Sequence, residues 1–209
     1  MKKILGLTAI AMASLFAAVA QETGDLPQGG VISIPLATTP GSLNPILPGE
    51  LAQSIIGWTL YSPLTAINPW TIEVEPYLAE SWTVSDDLRE WTFYIRDNAV
   101  WHDGVPVTAT DVKFTFDSIR DPRQSANTFN DFVNVEEIVV VDDKTVTVRL
   151  EQPDAWFGDR LALGGNEIIP EHILGSTNLL ADNSEFMTTK PVGTGPFKFV
   201  EYVPNSMVV

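Results

Sequence analysis

Hydrophobic and polar residues change rhythm several times along the 209-residue chain, and each rhythm predicts an element. Lys2 and Lys3 precede an uncharged, mostly apolar stretch from Ile4 to Val19, and Ala18-Val19-Ala20 is a small-x-small cleavage site. That order is the pattern of a secretory signal peptide over residues 1–20, and the apolar run is shorter than the roughly 20 residues of a spanning helix. Val31 to Leu36 is a short apolar run that predicts a buried strand, ended by the turn Thr38-Thr39-Pro40-Gly41. Between Glu50 and Leu60, Leu51, Ile55 and Trp58, or alternatively Ile56 and Leu60, fall at near-helical spacing.

Alternation with period two then takes over. Ser81 to Val84 and Trp91 to Arg96 flank the turn-forming Ser85-Asp86-Asp87-Leu88 and predict an antiparallel hairpin. Thr108-Ala109-Thr110-Asp111 is a capping box, with Val112, Phe116 and Ile119 forming one apolar stripe behind it and Asp121-Pro122 as the stop. Val135 to Val141 and Thr145 to Leu150 alternate around Asp142-Asp143-Lys144, which predicts a second hairpin with one wet and one buried face. Short helices are expected around Ala155 to Leu163 and from Pro170 onward, then a turn at Gly193-Thr194-Gly195-Pro196 and a strand from Phe197 to Tyr202. The chain stops on Met207-Val208-Val209. An apolar, β-branched end leaves strand edges uncovered, so a truncated chain is expected.

Composition narrows the function. With 44% hydrophobic residues the chain can bury a core, and its 15 prolines and 14 glycines, scattered without period, imply many turns between short elements. A net charge of −15 repels phosphate backbones, which excludes nucleic-acid partners. The absence of cysteine removes disulfides, thiolate nucleophiles and Cys-based metal sites. His102 beside Asp103 and His172 beside Glu171 lie far apart in sequence, and neither accompanies a G-x-S-x-G serine. Both read as solvent-exposed histidines of a loop or a helix start. Asp86-Asp87 and Asp142-Asp143 read as solvated hairpin tips, since Asp bonds its own backbone in turns. Gly193-Thr194-Gly195 lacks the third glycine of a dinucleotide loop and precedes a strand. No catalytic residue, metal site or cofactor is therefore expected.

The block from Trp91 to Val112, centred on Asp97-Asn98-Ala99-Val100-Trp101-His102-Asp103-Gly104, resembles the signature of the family 5 extracellular solute-binding proteins. These are the peptide, dipeptide and nickel receptors of ABC importers. Ser42-Leu43-Asn44-Pro45, Leu60-Tyr61-Ser62-Pro63-Leu64, Pro76 to Trp82 and Pro191 to Phe197 support the resemblance in the expected order. It implies a mixed α/β chain with the type II periplasmic binding protein fold, whose two lobes close on a ligand. Residues 21–61 and 191–209 would form part of the first lobe's core, and residues 62–190 the extra subdomain of the peptide-binding branch. The second lobe would lie beyond this sequence.

The same resemblance implies a non-enzymatic receptor in the periplasm, and the residues add secretion by a cleaved signal peptide, with no cysteine at the cleavage site to carry a lipid anchor. It would act as a monomer that captures peptide or another small solute and delivers it to membrane permease subunits. Thr38, Thr39, Gly49, Glu50, Leu51 and Phe129 are the expected ligand-facing positions. Trp82, Trp91 and Trp101 fall in framework motifs and should fill the core, whereas Trp58, Trp70 and Trp156 stay unassigned. A secreted hydrolase domain and a β-rich interaction module are the alternatives. Because pockets usually enclose about 70 to 90% of a ligand, this chain alone is expected to bind weakly, and its open edges to favour aggregation.

Overall fold

The computed structural model describes residues 33–177, 180, 185–186 and 189–209. The predicted signal peptide and the first two residues of the predicted strand from Val31 lie outside them. The remainder of that strand, Ser33 to Leu36, forms no ladder among the described residues, and Ile34 is exposed. The first regular element is instead helix α1, Leu51–Leu60. Of the two spacings in its sequence, Ile56 and Leu60 turn inward with Ala52 and Gln53, while Leu51 and Trp58 face out.

A small hairpin of β1 (Thr65–Ile67) and β2 (Val74–Pro76) leads into β3 (Ala79–Val84) and β4 (Glu90–Ile95). Helix α2, Ala109–Arg120, follows, then β5 (Val135–Asp142) and β6 (Thr145–Leu150). Both predicted hairpins are present, and they join through β4 and β6 into an antiparallel four-stranded sheet ordered β3-β4-β6-β5. Helix α3 is Phe157–Leu161 and α4 is Glu171–Leu174, with Pro170 at its N-cap. The predicted strand from Phe197 is confined to a terminal hairpin of β7 (Tyr202–Val203) and β8 (Met207–Val208). Phe197 and Val200 are exposed, so alternation there has no buried face to serve.

Period two explains the sheet. Trp91, Phe93 and Ile95 on β4 and Val146, Val148 and Leu150 on β6 point to one side, and α2 lies against β5 and β6 with Val112, Phe116 and Ile119 in the same buried cluster. Each such side chain contributes about 1.5–3 kcal/mol by leaving water. An aromatic row ties the layers together: Phe116 to Phe132 at 4.9 Å, Phe132 to Phe157 at 6.0 Å and Phe157 to Trp91 at 5.9 Å between ring centroids. The opposite side of the sheet is wet. There Arg149 bridges Glu90 at 2.9 Å and Glu137 at 2.8 Å across three strands, in half-exposed pairs that add little stability.

The framework tryptophans divide as expected, with Trp91 and Trp101 buried and Trp82 packed on the core edge, while Trp58, Trp70 and Trp156 are exposed. The capping box also forms, but it does more than end a helix. Asp111 is 3% exposed, and its carboxylate accepts from the Thr108 amide at 2.8 Å, the Glu171 amide at 2.9 Å and the Trp101 indole at 3.4 Å. One side chain thereby joins the start of α2, the Trp101 loop and the start of α4. Asp111→Ala would leave the buried Trp101 indole and the part-buried Thr108 and Glu171 amides unmet, at a cost of about 1–3 kcal/mol for each buried group stranded and less for the others. Urea unfolding should show a loss of about 3 kcal/mol or more for this variant, against about 1 kcal/mol for Thr108→Ala. Equal, small losses for both would remove Asp111 from its central place.

Candidate ligand-binding site

The loop before α1 is built by short-range hydrogen bonds. The Asn44 amide donates to Ser42 Oγ at 3.0 Å, and the Asn44 side-chain oxygen accepts from the Ile46 amide at 3.2 Å, an Asx-type turn. Gln53, buried on α1, reaches back and donates to the carbonyls of Asn44 at 2.9 Å and Leu47 at 3.0 Å. The Asn127 amide donates to the Ile46 carbonyl at 3.1 Å, which ties in the segment after α2. These bonds hold open a cavity of about 530 Å³ lined by Thr39, Leu47, Gly49, Glu50, Arg123 and Ser125, among others.

Three of the expected positions, Thr39, Gly49 and Glu50, thus meet around one space. Thr39 also bonds the terminal hairpin, its hydroxyl donating to Asn205 Oδ1 at 3.4 Å, while the Tyr202 hydroxyl donates to the Pro40 carbonyl at 3.2 Å. Thr38 and Leu51 are exposed beside the cavity residues without lining it. Phe129 opens a short 3-10 helix, Phe129–Phe132, half-buried and away from the cavity lining. Gln53 and the Arg123 to Ser125 segment were not legible in the sequence, because a fold and not a spacing brings them to this place. At the rim Arg123 pairs with Asp121 at 2.6 Å, and that hydrogen bond holds the Asp121 carboxyl below its usual range.

Helix α1 is fixed from behind by the turn the sequence marks at Gly193 to Pro196. The Gly195 amide donates to the Leu60 carbonyl at 2.8 Å and the Phe197 amide to the Thr59 carbonyl at 3.2 Å. A Cβ on Gly193 would sit 1.8 Å from that same Leu60 oxygen, so only glycine fits. His102 secures the turn. Its Nδ1 accepts from the Gly193 amide at 3.3 Å, and its Nε2 lies 2.9 Å from the Gly195 carbonyl, satisfied by the Nε2–H tautomer. His172 does not pair with its neighbour Glu171 but meets Asp103, at 2.9 Å and 69 positions away. Burial pushes the Asp103 carboxyl up, but the bonds from His172 and the Val105 amide outweigh it and leave it below its usual range. Both imidazoles are therefore engaged in holding loops.

A second cavity of about 120 Å³ adjoins the first, sharing Leu47, Gly49 and Gln53, and is also lined by Trp58, Asn127, Gly164 and Glu167. Glu167 is 2% exposed and its Oε2 has no hydrogen-bond partner. Burial raises its pKa, opposed by hydrogen bonds from the backbone of Glu167 and Gly165. A raised carboxyl favours folding while protonated, so this contribution is full below the unfolded value and fades as pH rises through the folded one. Glu167→Gln should accordingly be stabilising relative to the parent at pH 7.5 and near neutral at pH 4, measured by urea midpoints. A gain of the same size at both values would contradict the assignment.

Residues 73–209 match the family described as bacterial extracellular solute-binding proteins, family 5 middle. A putative ABC transporter peptide-binding protein of Brucella ovis is 33% identical over 172 residues, covering 80% of this chain and 31% of the relative. Among solved structures, the oligopeptide-binding protein AppA of Bacillus subtilis, in complex with a nonapeptide, superposes with a TM-score of 0.73 at 28% identity. That match covers 81% of this chain and 33% of AppA. NikZ of Campylobacter jejuni, in complex with Ni(L-His), gives 0.69 at 29% identity, covering 78% and 31%. The chain spans about a third of the length of these relatives. On the matched residues and the shared mixed α/β fold, the chain belongs to the family 5 extracellular solute-binding proteins.

Proposed function

We propose that this chain supplies one wall of the solute-binding cleft of an ABC-importer receptor, and that the solute is a peptide captured in the periplasm for delivery to a permease. The observation that carries the reading is the meeting of Thr39, Gly49 and Glu50 around a single cavity of about 530 Å³. Two of these come from the loop before α1 and its N-cap, ten and eleven positions after Thr39, and the hydrogen bonds of Asn44 and Gln53 hold them in place. Exposed main chain beside a roomy, wet space suits a ligand read mainly through its backbone, with side chains accommodated by water. Thr38 and Leu51 flank this wall and would meet the parts of a longer ligand that leave the cavity, whereas a role for Phe129, set away from the lining, rests on the family resemblance alone.

The peptide class is favoured over a metal chelate by the relatives' names and by the size of the cavity, which exceeds what one amino acid fills. On this reading residues 21–61 with 191–209 form the lobe core and residues 62–190 its extra subdomain. The acidic exterior, net −15, would raise the local concentration of cationic solutes without marking a site.

Calorimetric titration of the whole gene product with peptides of two to nine residues tests the proposal, alongside chromatography of the recovered peptides. Saturable binding at micromolar concentration or below with the peptides intact is expected. Thr39→Trp, which fills the rim from an exposed position, should weaken binding about tenfold, or about 1.4 kcal/mol, with the unfolding midpoint unchanged. Absence of binding to any of these peptides, or their hydrolysis, would overturn the reading.

A further inference from the structure

The smaller cavity has features that the capture of a peptide backbone does not require. The Glu167 side chain lines it, nearly inaccessible and with Oε2 unpartnered. An unpaired buried carboxylate is costly, and the cost is relieved when a cation enters beside it. Among the described residues lining the cavity, Glu167 alone is charged. Trp58, 53% exposed, lines the same cavity and brings an aromatic ring, the group that attracts ammonium and guanidinium ions.

The space between these two side chains is kept by backbone conformation. Gly164 and Gly165 have φ of +90° and +78°, values that L side chains rarely adopt. A Cβ on Gly164 would lie 2.9 Å from Trp58 Nε1 and 3.7 Å from Glu167 Oε1, so a side chain there would intrude between them. The volume of about 120 Å³ is several times the roughly 15 Å³ needed to admit one water. It is large enough for the head of a lysine or arginine side chain, and too small for a second peptide unit with its side chain. Leu47, Gly49 and Gln53 border both cavities, so the smaller one lies beside any chain held in the larger.

We propose that the Trp58–Glu167 cavity is a cation-accepting subsite, which takes the alkylammonium or guanidinium group of a ligand side chain and gives the receptor a preference for basic peptides. The proposal rests on the reading of the larger cavity as part of a peptide-binding cleft. Glu167 supplies the charge, Trp58 the aromatic wall, and the paired glycines the opening. Shape alone would accept norleucine as readily as lysine, so the charge is what the test isolates.

The whole gene product is titrated with Ala-Lys-Ala and with Ala-norleucine-Ala, and the same pair is titrated into Glu167→Gln. Lysine should be preferred at least about tenfold in the parent, and the preference should vanish in the variant while the norleucine affinity stays within about twofold. Equal affinities in the parent overturn the subsite and leave peptide capture standing. If neither tripeptide binds, n-butylammonium decides the subsite, and the titration with peptides of two to nine residues decides peptide capture. Perturbation of the Trp58 indole N–H resonance by n-butylammonium in the parent, lost in Glu167→Gln, supports the cavity as a cation site. No perturbation in the parent overturns it, whatever the fate of the larger cleft.

Discussion

The Asp111 carboxylate is the constraint on which the rest of the structure depends. It is buried, so it must be met by donors, and the donors come from three segments: Thr108, Trp101 and Glu171. Satisfying it fixes where α2 begins, and α2 then lays Val112, Phe116 and Ile119 on the sheet. The same bond starts α4, and the loop that carries Trp101 also carries His102, whose ring holds the Gly193 to Gly195 turn against α1. A local capping signal thus propagates to the helix whose first turn borders the candidate site.

Much of this was legible in the sequence, for identifiable reasons. The two hairpins and α2 have a strict period, a turn cluster or a cap, and a face to bury, so local and tertiary preferences agree. Ser33 to Leu36 and Phe197 to Tyr202 carry strand-like patterns too. Yet alternation only offers a face, and among the described residues neither segment is laddered along its length, apart from Tyr202. For α1 the sequence left two stripes open, and packing selected Ile56 and Leu60, which freed Leu51 and Trp58 to face outward.

The candidate site divides in the same way. Thr39, Gly49 and Glu50 were picked out by resemblance to a family, and the cavity gathers them. Gln53, Arg123, Trp58 and Glu167 had no sequence signal strong enough to select them, because their roles come from long-range closure. Gly164-Gly165 follow directly on the helix expected around Ala155 to Leu163, so they gave no separate signal. In the structure both hold left-handed conformations beside the buried carboxylate. His102 and His172, set aside from sequence as solvent-exposed, are engaged in holding loops, and the partner of His172 is Asp103 and not its neighbour.

A receptor must hold its binding wall rigid while leaving the wall itself polar and open, and this chain separates the two tasks. The aromatic row and the Asp111 node stiffen the body, while the loop before α1 is shaped by side-chain hydrogen bonds to its backbone that leave an open cavity beside it. A crystal structure of the whole gene product grown with a bound peptide tests this division most directly. The account predicts peptide backbone against Thr39, Gly49 and Glu50, with this body unchanged from its ligand-free form. Peptide seated elsewhere, with the space before α1 closed by the protein's own side chains, would contradict it.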